Sequence, residues 1–172
     1  MIPWLSIDAL LLVHVSMSLI AIATGLVAMA ALAFGRFLPG WQAIFLATTA
    51  GTSITGFLFP FSGITPAFGF GVASLVALGI ACLALPRRST DHWARIAYGV
   101  SATTALYLNV FVLVVQAFQK MPLLQPLAPT QSEPPFAIAQ IAVLVIHVVI
   151  GWFASQTSRR ADGRQALAAP PL

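Results

Sequence analysis

The sequence predicts an all-α integral membrane bundle of five transmembrane helices, with its N-terminus outside and its C-terminus cytoplasmic. Three observations carry that expectation. The 172 residues are 59% hydrophobic and only 7% charged, against roughly 25% charged in a soluble domain. Five apolar stretches approach the length of about 20 residues that a bilayer crossing requires. And if successive loops alternate between the two sides, every arginine falls on one of them.

The spans follow in order. The first covers residues 8–34, from DALLLVHVSMSL to AMAALAF, and the second covers 41–60, WQAIFLATTAGTSITGFLFP. Pro39-Gly40 marks the break between them. The third, 66–86, is set off by Pro60, Gly63 and Pro66 in a very short turn, and Pro66 suits the first turn of a helix. Pro86 closes it before RRSTDHW. The fourth covers 94–118 and the fifth 136–156, joined by QKMPLLQPLAPTQSEPPF. The prolines of that loop predict a stiff, extended segment lying on the membrane surface, lidding the bundle or docking a partner. Residues 1–158 thus read as one transmembrane domain, and 159–172 as a short, frayed cytoplasmic tail.

Charge fixes the topology. With five spans, Arg36, Arg87, Arg88, Arg95, Arg159, Arg160 and Arg164 share one side and Lys120 lies alone on the other. The arginine-rich side is cytoplasmic by the positive-inside rule, and the host membrane is expected to be a plasma (inner) membrane. If 41–86 crossed only once, Arg36 would part from the other arginines. The first apolar run has no basic segment before it, and it is too long for a signal peptide. It therefore reads as an uncleaved span.

Apolar side chains do not drive helices together in lipid, so contact faces should be small or polar. Helical spacing proposes five such faces. They are His14, Ser18, Ala21, Gly25 and Ala28; Thr48, Thr52 and Gly56; Ala73, Ala77 and Ala81; Ala102, Ala105, Asn109 and Gln116; and Gln140, His147, Gly151 and Ser155. The single Cys82 excludes an intrachain disulfide and reads as a small core residue.

Ionisable or polar groups inside a membrane mark candidate sites. At the helical rise, His14, Asn109 and His147 lie about 9, 14 and 16 Å from the outer ends of their spans. All three fall in the outer half of the bilayer. Two imidazoles on different helices suit the axial ligands of a b-type haem. They equally suit a transition metal, with Met17 one turn from His14 as a soft third ligand. Asn109, Tyr107 and Gln140 would line the cofactor. The same residues also suit interhelical hydrogen bonding without any ligand.

The acids exclude other chemistry. Asp8, Asp91, Glu133 and Asp162 all lie at span ends or in loops, whereas ion-coupled transporters commonly hold a carboxylate within the membrane. No nucleophile, base and acid are arranged for hydrolysis, so the sequence leans away from an enzyme. The expectation is a module binding a small apolar or redox cofactor, haem b first. The alternative is an accessory subunit of a larger membrane complex, and a transporter is the least favoured class. The expected partners are the lipid bilayer and either other membrane subunits or further copies of the chain, with no nucleic acid.

Overall fold

Each helix begins where its sequence supplies a cap or a proline. The computed structural model describes the backbone of residues 6–59 and 66–168, and side chains over 6–59 and 68–156. The helices are α1 (Ile7–Ala33), α2 (Pro39–Gly56), α3 (Pro66–Ala84), α4 (His92–Lys120) and α5 (Pro134–Ala168). Short 3₁₀ turns cover Leu85–Arg87 and Gln125–Leu127, and the described residues contain no strand. Ser6 caps α1 by accepting from the Ala9 amide at 3.1 Å. Asp91 caps α4 by accepting from the Trp93 amide at 2.9 Å. Pro39 and Pro66 occupy the first turns of α2 and α3, where a missing N–H costs nothing.

The α1–α2 turn is a Schellman stop. The Arg36 amide donates to the Ala31 carbonyl at 2.8 Å and the Gly35 amide to Leu32 at 2.9 Å. Gly35 supplies the positive φ, 79°, that this motif demands. α2 then returns antiparallel along α1. His14 meets Thr55, Ser18 meets Thr52, and Gln42 meets the Ala28 carbonyl. Gly25 lies under Phe45 and Leu106; a Cβ placed there would come within 2.7 Å of both side chains. Glycine is required at this position because α1, α2 and α4 all converge on it.

α4 is the central helix, packing against each of the other four. Its inner face is Tyr98, Ala102, Ala105 and Leu106, all essentially inaccessible. The Tyr98 hydroxyl donates to Gln42 Oε1 at 2.6 Å, and Gln42 Nε2 donates to the Ala28 carbonyl at 3.1 Å. This relay ties α4 to α2 and α1 inside the apolar core. Ser53 Oγ donates to Ser74 Oγ at 3.3 Å, linking α2 to α3. Asn109 Nδ2 donates to Thr49 Oγ1 at 3.2 Å, linking α4 to α2 a second time. α5 lies antiparallel on α4. Its backbone at Ala154 would meet a Cβ on Gly99 at 3.4 Å, and Thr103 would meet one on Gly151 at the same distance.

Among the described residues, four helical segments are long and apolar enough to cross a membrane: Ile7–Ala33, Phe68–Arg87, His92–Lys120 and Pro134–Gln156. α2 is shorter and richer in hydroxyls, with Thr48, Thr49, Thr52, Ser53 and Thr55.

The expected contact faces are largely those that pack, with instructive shifts. On α1, Ala21, Gly25 and Ala28 are buried and His14 and Ser18 half-buried. On α2 the deepest hydroxyl is Thr49, one residue on from the expected Thr48. On α3, Ala77 and Ala81 are buried but Ala73 is exposed, its place taken by Ser74. On α4, Gln116 is exposed, while Phe118 takes the buried position in the last turn, against Phe136 of α5. Cys82 lies on the outer surface of α3, since Ala81 and Ala84 take the inner positions. The turn assigned to Pro60 and Gly63 lies outside the described residues.

Two expectations are corrected. The tail is not frayed backbone: α5 continues to Ala168, and no proline intervenes before Pro170. The outer loop is not extended. It folds through the 3₁₀ turn at Gln125–Leu127 and buries Ala128. Gln131 Nε2 ties it back by donating to the Val115 carbonyl at 3.0 Å.

Substitutions at Gly25, Gly40, Tyr98 and Gln42 test this packing. Gly25→Ala should cost about 1–3 kcal/mol by overpacking, while Gly40→Ala, whose Cβ would meet nothing within 4 Å, should be neutral or slightly stabilising. Tyr98→Phe should cost about 1–2 kcal/mol by orphaning Gln42 Oε1, and a Tyr98→Phe/Gln42→Leu double variant should cost less than the sum of its parts. Unfolding in a fixed detergent, followed by circular dichroism, measures these variants and the single Gln42→Leu that completes the cycle.

Candidate functional site

The sequence places its polar candidates on three helices, and the packing divides them between two interfaces. His14 and Met17 face α2. His14 Nδ1 pairs with Thr55 Oγ1 at 3.0 Å, and its ring stands edge-on to Phe59 with centroids 5.4 Å apart. The Met17 thioether fills the space above Gly51. Asn109 faces α2 as well, through Thr49. These three residues line a polar seam along α2, rich in hydroxyls that also bond back to their own helix: Thr48 to Ile44, Thr55 to Gly51, Ser18 to His14.

His147, Tyr107 and Gln140 meet at the other interface, between α4 and α5. His147 is 5% exposed, and its ring packs on Tyr107 with centroids 5.8 Å apart. Tyr107 in turn contacts Phe111 at 6.0 Å, and Phe111 contacts Phe70 of α3 at 4.7 Å. Two turns away on α5, Gln140 Nε2 donates to the Phe111 carbonyl at 3.2 Å.

The hydrogen bonding of His147 sets its chemistry. Nδ1 lies 2.7 Å from the Val143 carbonyl, one turn back on the same helix. A carbonyl only accepts, so Nδ1 carries the proton. In the neutral ring Nε2 then keeps its lone pair. That Nε2 is buried and has no partner, and neither has Gln140 Oε1. Both orphaned atoms are acceptors on the α4-facing side of α5. A buried polar group without a partner costs about 1–3 kcal/mol, so each is a position where an incoming donor gains.

His147 lies in the wall of a groove of about 260 Å³. The groove is lined by Thr103, Tyr107, Leu144, His147, Gly151 and Trp152 among others, and it opens sideways between α4 and α5. Leu144, Val148 and Trp152 on its rim are exposed. Gly151 and Gly99 hold the helices close below it, and the bulk of the His147 and Tyr107 rings separates them above. Usual small-molecule pockets run from about 300 to 1,000 Å³. A groove of this size therefore takes a headgroup, while the rest of a larger ligand stays outside.

Three sequence-level candidates thus come together, and three others sit elsewhere. No three His, Cys, Asp or Glu residues are grouped to hold a metal ion among the described residues. The groove residues Thr103, Leu144 and Trp152 carried no signal in the sequence, since each suits a helix packed in lipid. No protein-family model, curated protein or solved structure matches the chain.

The outer loop carries a separate titratable feature. Glu133 accepts from the Thr130 amide at 3.2 Å, the Thr130 hydroxyl at 2.8 Å and the Ser132 amide at 3.1 Å. Slight desolvation works to raise its carboxyl, but these donors outweigh it and hold the group below the ordinary carboxylate range. A depressed value means the turn is stabilised once the unfolded-state carboxyl would be ionised. That stabilisation is lost as pH falls through the folded-state value. Amide exchange at Thr130 and Ser132, corrected for its intrinsic rate, should accelerate as pH falls below the ordinary carboxylate range. Glu133→Gln should show the faster exchange already at neutral pH.

Proposed function

We propose that the chain is a membrane-embedded binding module that takes the head of a small apolar ligand into the α4–α5 groove. The observation that carries this reading is that His147, a residue of the groove wall, keeps a buried Nε2 without a partner. The ligand then needs a hydrogen-bond donor, a hydroxyl in the simplest case. It reaches the groove sideways from lipid and leaves its apolar remainder there. Tyr107 supplies an aromatic wall, and Gln140 offers a second acceptor further along α5.

The topology that goes with this function is five crossings of a plasma membrane, with the N-terminus outside, the C-terminus cytoplasmic and the groove running from about the middle of the membrane towards its cytoplasmic side. α2 is the crossing most in need of support. Its 18 residues span about 27 Å against a hydrocarbon core of about 30 Å. Its hydroxyls are bonded back to the helix or paired with α1, α3 and α4, so it can lie in lipid when surrounded by those helices. The single turn that reverses α1 into α2 and the gathering of the arginines on one side both support the count.

A b-type haem is the competing occupant. The contact of His147 Nδ1 with a backbone carbonyl is the device that orients a ligating imidazole and leaves Nε2 for iron. Bis-imidazole ligation would additionally need His14, which is bonded into the α1–α2 seam. The hydroxyl-bearing ligand needs His147 alone and is the reading favoured here.

Nonylphenol and its methyl ether discriminate these readings, since only the phenol can donate. The phenol should bind the purified chain roughly fivefold more tightly, the value of about 1 kcal/mol for one hydrogen bond. His147→Phe, which keeps the ring volume, should abolish the preference without loss of helix content. Equal binding of phenol and ether would overturn the donor reading. A Soret band in protein expressed with haem supplied, lost in both His14→Ala and His147→Ala, would establish haem instead.

A further inference from the structure

The end of the bundle opposite the outer loop carries a second candidate site, and it does not depend on the groove. The α1–α2 and α3–α4 turns are pressed together there. The Arg88 guanidinium carbon lies 3.1 Å from the centroid of the Phe37 ring, and Phe37 stands edge-on to Tyr98. Arg95 Nε donates to the Arg88 carbonyl at 3.0 Å. This stacking brings Arg36, Arg87, Arg88 and Arg95 to one end of the helices, with Arg36 and Arg87 exposed. The acid within these turns, Asp91, spends one carboxylate oxygen on capping α4. Arg88 is partly desolvated. Burial pulls its guanidinium below its usual value, the Tyr98 hydroxyl opposes the shift and the charge of Arg95 adds to it.

The apolar surroundings are equally specific. Phe34 is 83% exposed at the end of α1 and Trp93 is 75% exposed at the start of α4. Aromatic side chains at a helix end belong at the boundary between headgroups and acyl chains. A guanidinium forks onto phosphate oxygens with two parallel hydrogen bonds. A group that satisfies both features carries a negative phosphate on an apolar body.

We propose that this end of the bundle binds the headgroup of an anionic phospholipid, with Arg36 and Arg87 holding the phosphate and Phe34 and Trp93 set against its acyl chains. Arg88 and Arg95 add the local positive field. A free phosphate would meet the same arginines but gain nothing from the aromatic residues.

The test uses the full purified chain in a neutral detergent. Phosphatidylglycerol, phosphatidylcholine of the same acyl chains, and inorganic phosphate are added separately. Melting temperature and lipid retention by native mass spectrometry are the readouts. Phosphatidylglycerol should raise the melting temperature and be retained at least fivefold over phosphatidylcholine, as expected for about one arginine's worth of surface attraction. An Arg36→Gln/Arg87→Gln variant should lose that preference while melting normally in phosphatidylcholine. Should the variant melt early, salt decides with the wild-type chain: the preference should vanish towards about 1 M salt, and its persistence there overturns the proposal. Equal retention of the two lipids, or an intact preference in a normally melting variant, also overturns it. Stabilisation by inorganic phosphate equal to that by phosphatidylglycerol would assign the site to free phosphate and overturn the lipid reading.

Discussion

The Tyr98–Gln42–Ala28 relay is the interaction on which the rest of the bundle is hung. In lipid, an apolar side chain gains little by moving from acyl chains to another helix. What holds helices in one arrangement is therefore close approach and the need to satisfy polar groups. The relay does both. Two essentially inaccessible polar side chains satisfy each other and an α1 carbonyl, and this fixes α4 against α2 and α1 in rotation as well as in distance. Gly25, overlaid by Phe45 and Leu106, lets the same three helices close about one turn away along α1 and α2.

With that arrangement set, α4 becomes an axle with two dissimilar sides. Towards α2 its polar groups are matched, Asn109 to Thr49 and Tyr98 to Gln42. On its other side α5 brings polar groups that α4 does not match, since His147 Nε2 and Gln140 Oε1 of α5 end without partners. The contrast argues against treating all intramembrane polar residues alike. His14 and His147 resemble each other in the sequence, yet one pairs with Thr55 and the other stands in a groove wall with its Nε2 buried and unpartnered. Packing has spent the first and left the second available.

The two ends of the bundle are finished by different means. The α4–α5 loop is held by hydrogen bonds around Glu133 and Gln131, and those of Glu133 depend on its being ionised. The opposite end is held by a guanidinium stacked on a ring and by a glycine in the left-handed region. Its spare arginines face outward. One end is thus largely self-contained, while the other keeps unspent positive charge for the membrane surface.

The sequence by itself determined the membrane class, the helical content and most of the inward faces. Its apolar length and its spacing of small residues are local quantities, and a helix displays them whatever surrounds it. Gly25, Ala77, Ala102 and Gln140 were legible for that reason. The tertiary structure alone decided which face meets which helix. It separated His14 from His147, paired Tyr107 with His147, moved the buried hydroxyl from Thr48 to Thr49 and turned Gln116 outward. A helical periodicity names a face but not the neighbour that will cover it. Whether a polar atom is satisfied is settled by that neighbour, and so the groove and its orphaned acceptors could be found only once the helices were packed.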